Sequence, residues 1–174
     1  MTPLMYAVYN GHANVISRLL VHGAELNLQD YEGYTALTYA VELGKANIVT
    51  TLIEHGADVN VRNNWGYSEL MVAAVNWNDE IVSILLENGA DIDMANVGTI
   101  YDFGDDIDAK EGDGNTALMY AAHIGSESIT SILVDYGANV NITNRLGETA
   151  LSIAIKNGHD RVVDILKPNN TSIV

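Results

Sequence analysis

Apolar residues in this chain recur as two short helical stripes followed by a polar, turn-rich stretch. Residues 35–67, TALTYAVELGKANIVTTLIEHGADVNVRNNWGY, show the pattern most completely. Leu37, Ala40 and Val41 stand at spacings that share one helix face, and the hydroxyl of Thr35 is placed to cap that helix's first turn. Gly44 follows, where a left-handed residue closes a helix. Ile48, Val49, Leu52 and Ile53 form a second stripe, ended by Gly56. Asp58, Val59 and Asn60 then lead to NNWG, a turn-forming tip. Helices this short are not stable alone in water, so the segment must bury its stripes against neighbours of its own kind.

Those neighbours are present along the chain. Hydroxyl residues at Thr2, Thr35, Ser68, Thr116 and Thr149 open successive units at intervals of 33, 33, 48 and 33 residues. Gly23, Gly56, Gly89 and Gly137, each followed by Ala, keep 33, 33 and 48. Two unrelated landmarks agreeing to the residue predict a repeat array over residues 1–167, with units starting near 2, 35, 68, 116 and 149. The long interval adds 15 residues in the third unit. An echo of ADIDMA in DDIDAK places this insertion at about 94–108, and residues 168–174 form a polar tail.

The shared order is a hydroxyl, x-L, Ala three residues after that Leu, a Gly, an IV pair, an LL-like pair and GA-D/N-V-N. It reads TPLMYA…GH…VISRLL…GAELN, TALTYA…GK…IVTTLI…GADVN, SELMVA…IVSILL…GADID, TALMYA…GS…ITSILV…GANVN and TALSIA…GH…VVDILK. Over residues 2–167 this resembles the ankyrin repeat. The resemblance implies an all-α solenoid of stacked helix–turn–helix units with protruding finger loops, whose fingertips and first helices line a concave face. It also implies a non-catalytic module that binds a partner protein on that face. Two departures stand out. The His of the family's TPLH motif is replaced by Met5, Thr38, Met71, Met119 and Ser152, which removes a polar link between units. In unit three Trp77 stands at the turn Gly, and because a bulky residue at positive φ is strained, a shifted turn using Asn76 or Asn78 is expected.

Charge and composition narrow the partner. With 8 Lys and Arg against 23 Asp and Glu, the net charge of −15 repels phosphate backbones and anionic membranes. It serves solubility, and it would steer a partner rich in Lys or Arg, or of mixed surface. Nucleic acid and membrane partners are therefore not expected. There is no Cys, no cationic leader with an apolar core and no apolar run long enough to span a bilayer. The expected location is intracellular, cytoplasmic or nuclear.

Aromatic residues dominate the positions that the resemblance places on the concave face. Tyr31, Tyr34, Trp65 and Tyr67 fall at fingertips, with Glu32 and Asn64 beside them. Tyr9, Glu42, Leu43, Asn76 and Trp77 fall at the exposed ends of first helices. Tyr and Trp bury much area with few rotatable bonds and keep a polar handle, which suits them to anchor interfaces. Alternatively, they pack against neighbouring fingers and merely cover the core. The insertion adds Tyr101 and Phe103 among several acidic residues, either as an elongated finger that extends the face or as a solvated excursion.

Chemistry is otherwise sparse. The acidic insertion has no register that supplies the EF-hand ligands with Gly at the sixth position and Glu at the twelfth. His22 and His55 lie 33 residues apart without Cys or a shared carboxylate, a poor metal set. Phosphate-cradling loops, GxSxG, HExxH and a Cys nucleophile are all missing from the sequence, so no cofactor is expected. Other readings are a structural fragment of a longer ankyrin protein, and an enzyme or metal-binding protein using the acidic insertion. Arg18 in unit one, where later units have Ile84, Ile132 and Ile165, suits a polar outer cap. Ser172-Ile173-Val174 resembles a carboxy-terminal ligand of PDZ-type domains.

Overall fold

The computed structural model describes residues 1–97 and 113–167. Among them are ten helices in five antiparallel pairs. These are α1 (Pro3–Tyr9) with α2 (Ala13–Val21), α3 (Ala36–Glu42) with α4 (Ala46–Glu54), and α5 (Glu69–Val75) with α6 (Asp79–Glu87). α7 (Ala117–Ile124) with α8 (Glu127–Asp135) and α9 (Ala150–Asn157) with α10 (Asp160–Leu166) complete the series. The first helices pack in sequence, α1 on α3, α3 on α5, α5 on α7 and α7 on α9. The second helices form the other layer, α4 on α6, α6 on α8 and α8 on α10.

Local chemistry sets each boundary. Thr2, Thr35, Ser68, Thr116 and Thr149 all cap as expected, each side-chain oxygen accepting the backbone N–H three residues on. Leu4, Leu37, Leu70 and Leu118 fill one repeated core position. Ala40, Ala73, Ala121 and Ala154 fill another with no exposed surface, a small side chain that lets adjacent helices approach. Each unit therefore completes the core of the next, and stability is shared through stacking. Unit one exposes Arg18, yet also leaves Val15 46% exposed where Ile48 and Ile81 are buried.

Three expectations are corrected. Trp77 does not shift the turn. It takes the left-handed conformation itself at φ 59°, the one non-glycine residue with positive φ among those described. The N–H groups of Trp77 and Asn78 donate to the carbonyls of Ala74 and Ala73, as at the glycine turns, so helix closure holds the residue at a cost of about 1–2 kcal/mol.

The inserted segment also begins later than position 94. The N–H of Asn96 donates to the Asn115 carbonyl and its Oδ1 accepts from the Asn115 N–H. This is how Asp30 pairs with Tyr34, Asn63 with Tyr67 and Asn144 with Glu148 across their tips. Residues 94–96 therefore follow the ordinary finger, and the 15 extra residues fall between Asn96 and Gly114.

The third correction concerns the polar link. At one junction it is replaced, because Thr38 donates to Glu69 Oε1 of the next unit at 2.7 Å. Glu69 is 2% exposed and its Oε2 has no hydrogen-bond partner among the described residues. Burial pushes its carboxyl up to about 8 against the opposing hydrogen bond from Thr38.

Candidate functional site

The finger side of units one and two carries a ladder of rings. Tyr9 at the end of α1 meets Tyr39 of α3 edge to face at 6.0 Å. Tyr39 meets Tyr34 at 5.3 Å, and Tyr34 meets Trp65 of the next finger at 6.0 Å with the rings 75° apart. Edge-to-face pairs at these separations are attractive beyond the area they bury. The ladder thus joins units one and two through α1, α3 and both tips and leaves its ends open, Tyr9 53% and Trp65 51% exposed.

Hydrogen bonds position these rings. Asp30 Oδ1 accepts from the N–H groups of Glu32 and Tyr34, both at 3.0 Å, which folds the fingertip. Its Oδ2 accepts from the Tyr39 hydroxyl at 2.6 Å, tying finger to helix. Desolvation would raise the Asp30 carboxyl, but the hydrogen bonds from Tyr39, Tyr34 and Glu32 outweigh it and hold the group below its ordinary value. The second tip repeats this with Asn63 Oδ1, which accepts from Trp65 and Tyr67. Asn64 then stitches tip to tip, its N–H to the Glu32 carbonyl and its side chain to the Tyr31 carbonyl. Gly33 admits that stitch, since a Cβ there would lie 2.6 Å from the Asn64 nitrogen.

The surface around the ladder is acidic. The Tyr34 hydroxyl is pushed up by desolvation and then by the carboxylates of Glu42, Glu32 and Asp30. Glu42, the exposed last residue of α3, is itself pushed up by partial burial and by Glu32. Lys45 of the same unit is engaged by the end of α1, its Nζ donating to the carbonyls of Val8 and Tyr9 at 3.0 and 2.9 Å.

The remaining expected residues scatter. Tyr31 is 98% exposed at the first tip. Tyr67 is half-buried and packs on Tyr120 of α7 at 5.5 Å. Asn76 caps α5 and is exposed, and Trp77 beyond it is 60% exposed with no ring contact among the described residues. The seven-residue helix α5 runs between its finger-side cap Ser68 and Trp77, a length of about 10 Å, so the two tryptophans are not side by side. Tyr101 and Phe103, like the carboxy-terminal tail, lie outside the described residues.

Two features escape the sequence reading. Tyr39 is the hub of the ladder, and its signal is the aromatic at the same unit position in Tyr6 and Tyr120. A cavity of about 290 Å³ also lies between units four and five, with Met119, Tyr120 and Ile153 against His123, Glu148 and Lys156. Glu148 accepts from Lys156 at 2.8 Å there. Among the described residues no group of three or more His, Cys, Asp or Glu is arranged to hold a metal ion, and no helix is long and apolar enough to cross a membrane.

Paired helices stacked in two layers, with hydrogen-bonded tips projecting from them, define a helical repeat solenoid that presents a preformed surface. A family model of ankyrin repeats in three copies matches residues 4–96 and 97–174. The chain belongs to the ankyrin repeat family, whose members are generally non-catalytic protein–protein interaction modules. A comparison with curated proteins finds no match.

Proposed function

We propose that this chain is a non-catalytic interaction module that binds a partner protein with a basic or mixed surface on its finger and first-helix face. The observation that carries the reading is the aromatic ladder from Tyr9 to Trp65, exposed at its ends and set among carboxylates. Rigid display is the mechanism. Tips closed by Asp30 and Asn63 hold the rings before the partner arrives, so little ordering entropy is lost on binding. The net charge of −15 speeds encounter with a basic partner.

The test is capture from lysate of the source organism, or of its host if it is a parasite. The native chain is compared with a Tyr34→Ala, Trp65→Ala, Tyr67→Ala, Trp77→Ala variant whose helicity and melting are first shown to be native-like. A protein held by the native chain and lost by the variant supports the reading; equal retention by both sinks it. Steering is checked separately with the captured partner. Its association rate is expected to fall about tenfold or more between low and high salt, and a salt-independent rate removes the charge argument while leaving the aromatic one.

A further inference from the structure

The first and second fingertips meet in a corner of the ring-bearing face. Tyr34 and Trp65 meet there at 75°, so they form two walls and not a flat stack. Trp65 is half exposed, and Glu32 in the first tip and Glu42 at the end of α3 are exposed. Asp30 Oδ1 accepts from the N–H groups of both Glu32 and Tyr34, so Glu32 shares the first tip with the Tyr34 wall, and Glu42 ends α3, the helix that carries Tyr39 against Tyr34. The ion pairs between described residues lie elsewhere, Lys156 with Glu148, Arg161 with Glu127 and Lys167 with Asp164, all in units four and five. Lys45, the lysine of unit two, is engaged with the carbonyls of unit one.

Aromatic faces attract cations through the ring quadrupole, and adjacent carboxylates add direct attraction. Between the two basic side chains, a planar guanidinium suits such a corner better than an ammonium. It stacks on a ring, is less strongly hydrated, and has donors in its plane for a carboxylate at the rim. We propose that Tyr34 and Trp65, with Glu32 and Glu42 at the rim, form a receptor for a single arginine side chain of the partner protein. This rests on the reading of the finger face as the binding surface and names the group that face selects.

The chain's two tryptophans supply the readout. The indole N–H signals of Trp65 and Trp77 are followed by nuclear magnetic resonance while the acetylated, amidated tripeptides Leu-Arg-Leu, Leu-Lys-Leu and Leu-Gln-Leu are titrated in turn. The arginine peptide is expected to move the Trp65 signal and not the Trp77 signal. The glutamine peptide should need about tenfold higher concentration for the same shift, with lysine between. A Glu32→Gln, Glu42→Gln variant with an unchanged melting temperature should weaken the arginine peptide by about tenfold.

Equal response to the arginine and glutamine peptides, or a Trp65 signal unmoved by the arginine peptide to the limit of solubility, overturns the proposal. Its failure is separable from that of the broader reading. Loss of the captured partner with Tyr34→Ala and Trp65→Ala, but not with Glu32→Gln and Glu42→Gln, keeps the face and removes the arginine. Retention of that partner by the alanine variant removes both.

Discussion

Units one to three and units four and five are built on one frame and finished differently. The tips at Asp30, Asn63 and Asn144 close through the same pair of hydrogen bonds to one side-chain oxygen. Toward the amino terminus the face is a ladder of rings with carboxylates beside it. Toward the carboxy terminus it is a recess, with Lys156 paired to Glu148 and the turns interlocked, His159 against the His123 carbonyl at 3.0 Å. Stacking dictates the buried positions in every unit and leaves the concave positions free. On the proposed reading, the difference between the halves reports on binding and not on folding.

The largest expected effect tests the shared frame. Leu70→Ala and Leu118→Ala remove equivalent buried side chains from the two halves, and each should cost about 2–5 kcal/mol in denaturant unfolding. A loss in one half several-fold smaller than in the other would show that the array is not one stacked core.

A smaller effect separates the junction of units two and three from the rest. Glu69 in the folded chain titrates at about 8, against 4.5 for the free side chain, because burial disfavours its charge. The folded state therefore holds the proton more tightly than the unfolded state. The stability associated with that proton is fully present below the unfolded value and is lost as pH rises towards 8. The slope is about 1.4 kcal/mol per pH unit within that window. Melting measured from pH 5 to pH 8 should fall more steeply for the native chain than for Glu69→Gln. Parallel curves would mean that Glu69 is not the source.

The smallest effect concerns the turn of unit three. Trp77→Gly relieves the left-handed strain and should raise stability by about 1 kcal/mol, seen as a melting temperature a few degrees higher. A decrease would mean that the exposed indole holds the turn through contacts worth more than the strain.

How far such features can be read in advance depends on whether their causes are local. The unit boundaries were legible because a hydroxyl cap or a turn glycine acts within a few residues, and so the five caps and ten helices fall as the spacing predicts. Trp77 was misread because its own preference was the guide, whereas closure onto Ala73 and Ala74 decides its conformation. The insertion boundary was misread because the echo of ADIDMA in DDIDAK is a likeness of residues, while the pairing of Asn96 with Asn115 is a matter of backbone position. Tyr31, Trp65 and Trp77 are exposed whereas Tyr34 is partly buried against the core, and the ring partners were not legible. Ring contacts between units depend on how neighbours superpose, which is why Tyr39 and the cavity beside Tyr120 emerged only with the fold. Glu69 has no local signal of its burial, because it lies in the first turn of α5 and its contact with Thr38 belongs to the neighbouring unit.

The central claim is that the partner sits on the ring-bearing half of the concave face. It is tested most directly by placing a photo-crosslinking phenylalanine analogue at Tyr31 or at Leu146, fingertip positions 98% and 75% exposed in the two halves. With the captured partner present, illumination should give a crosslinked species of summed mass from position 31 and little from position 146. Crosslinking from position 146 alone would place the partner on the recess of units four and five and contradict the account.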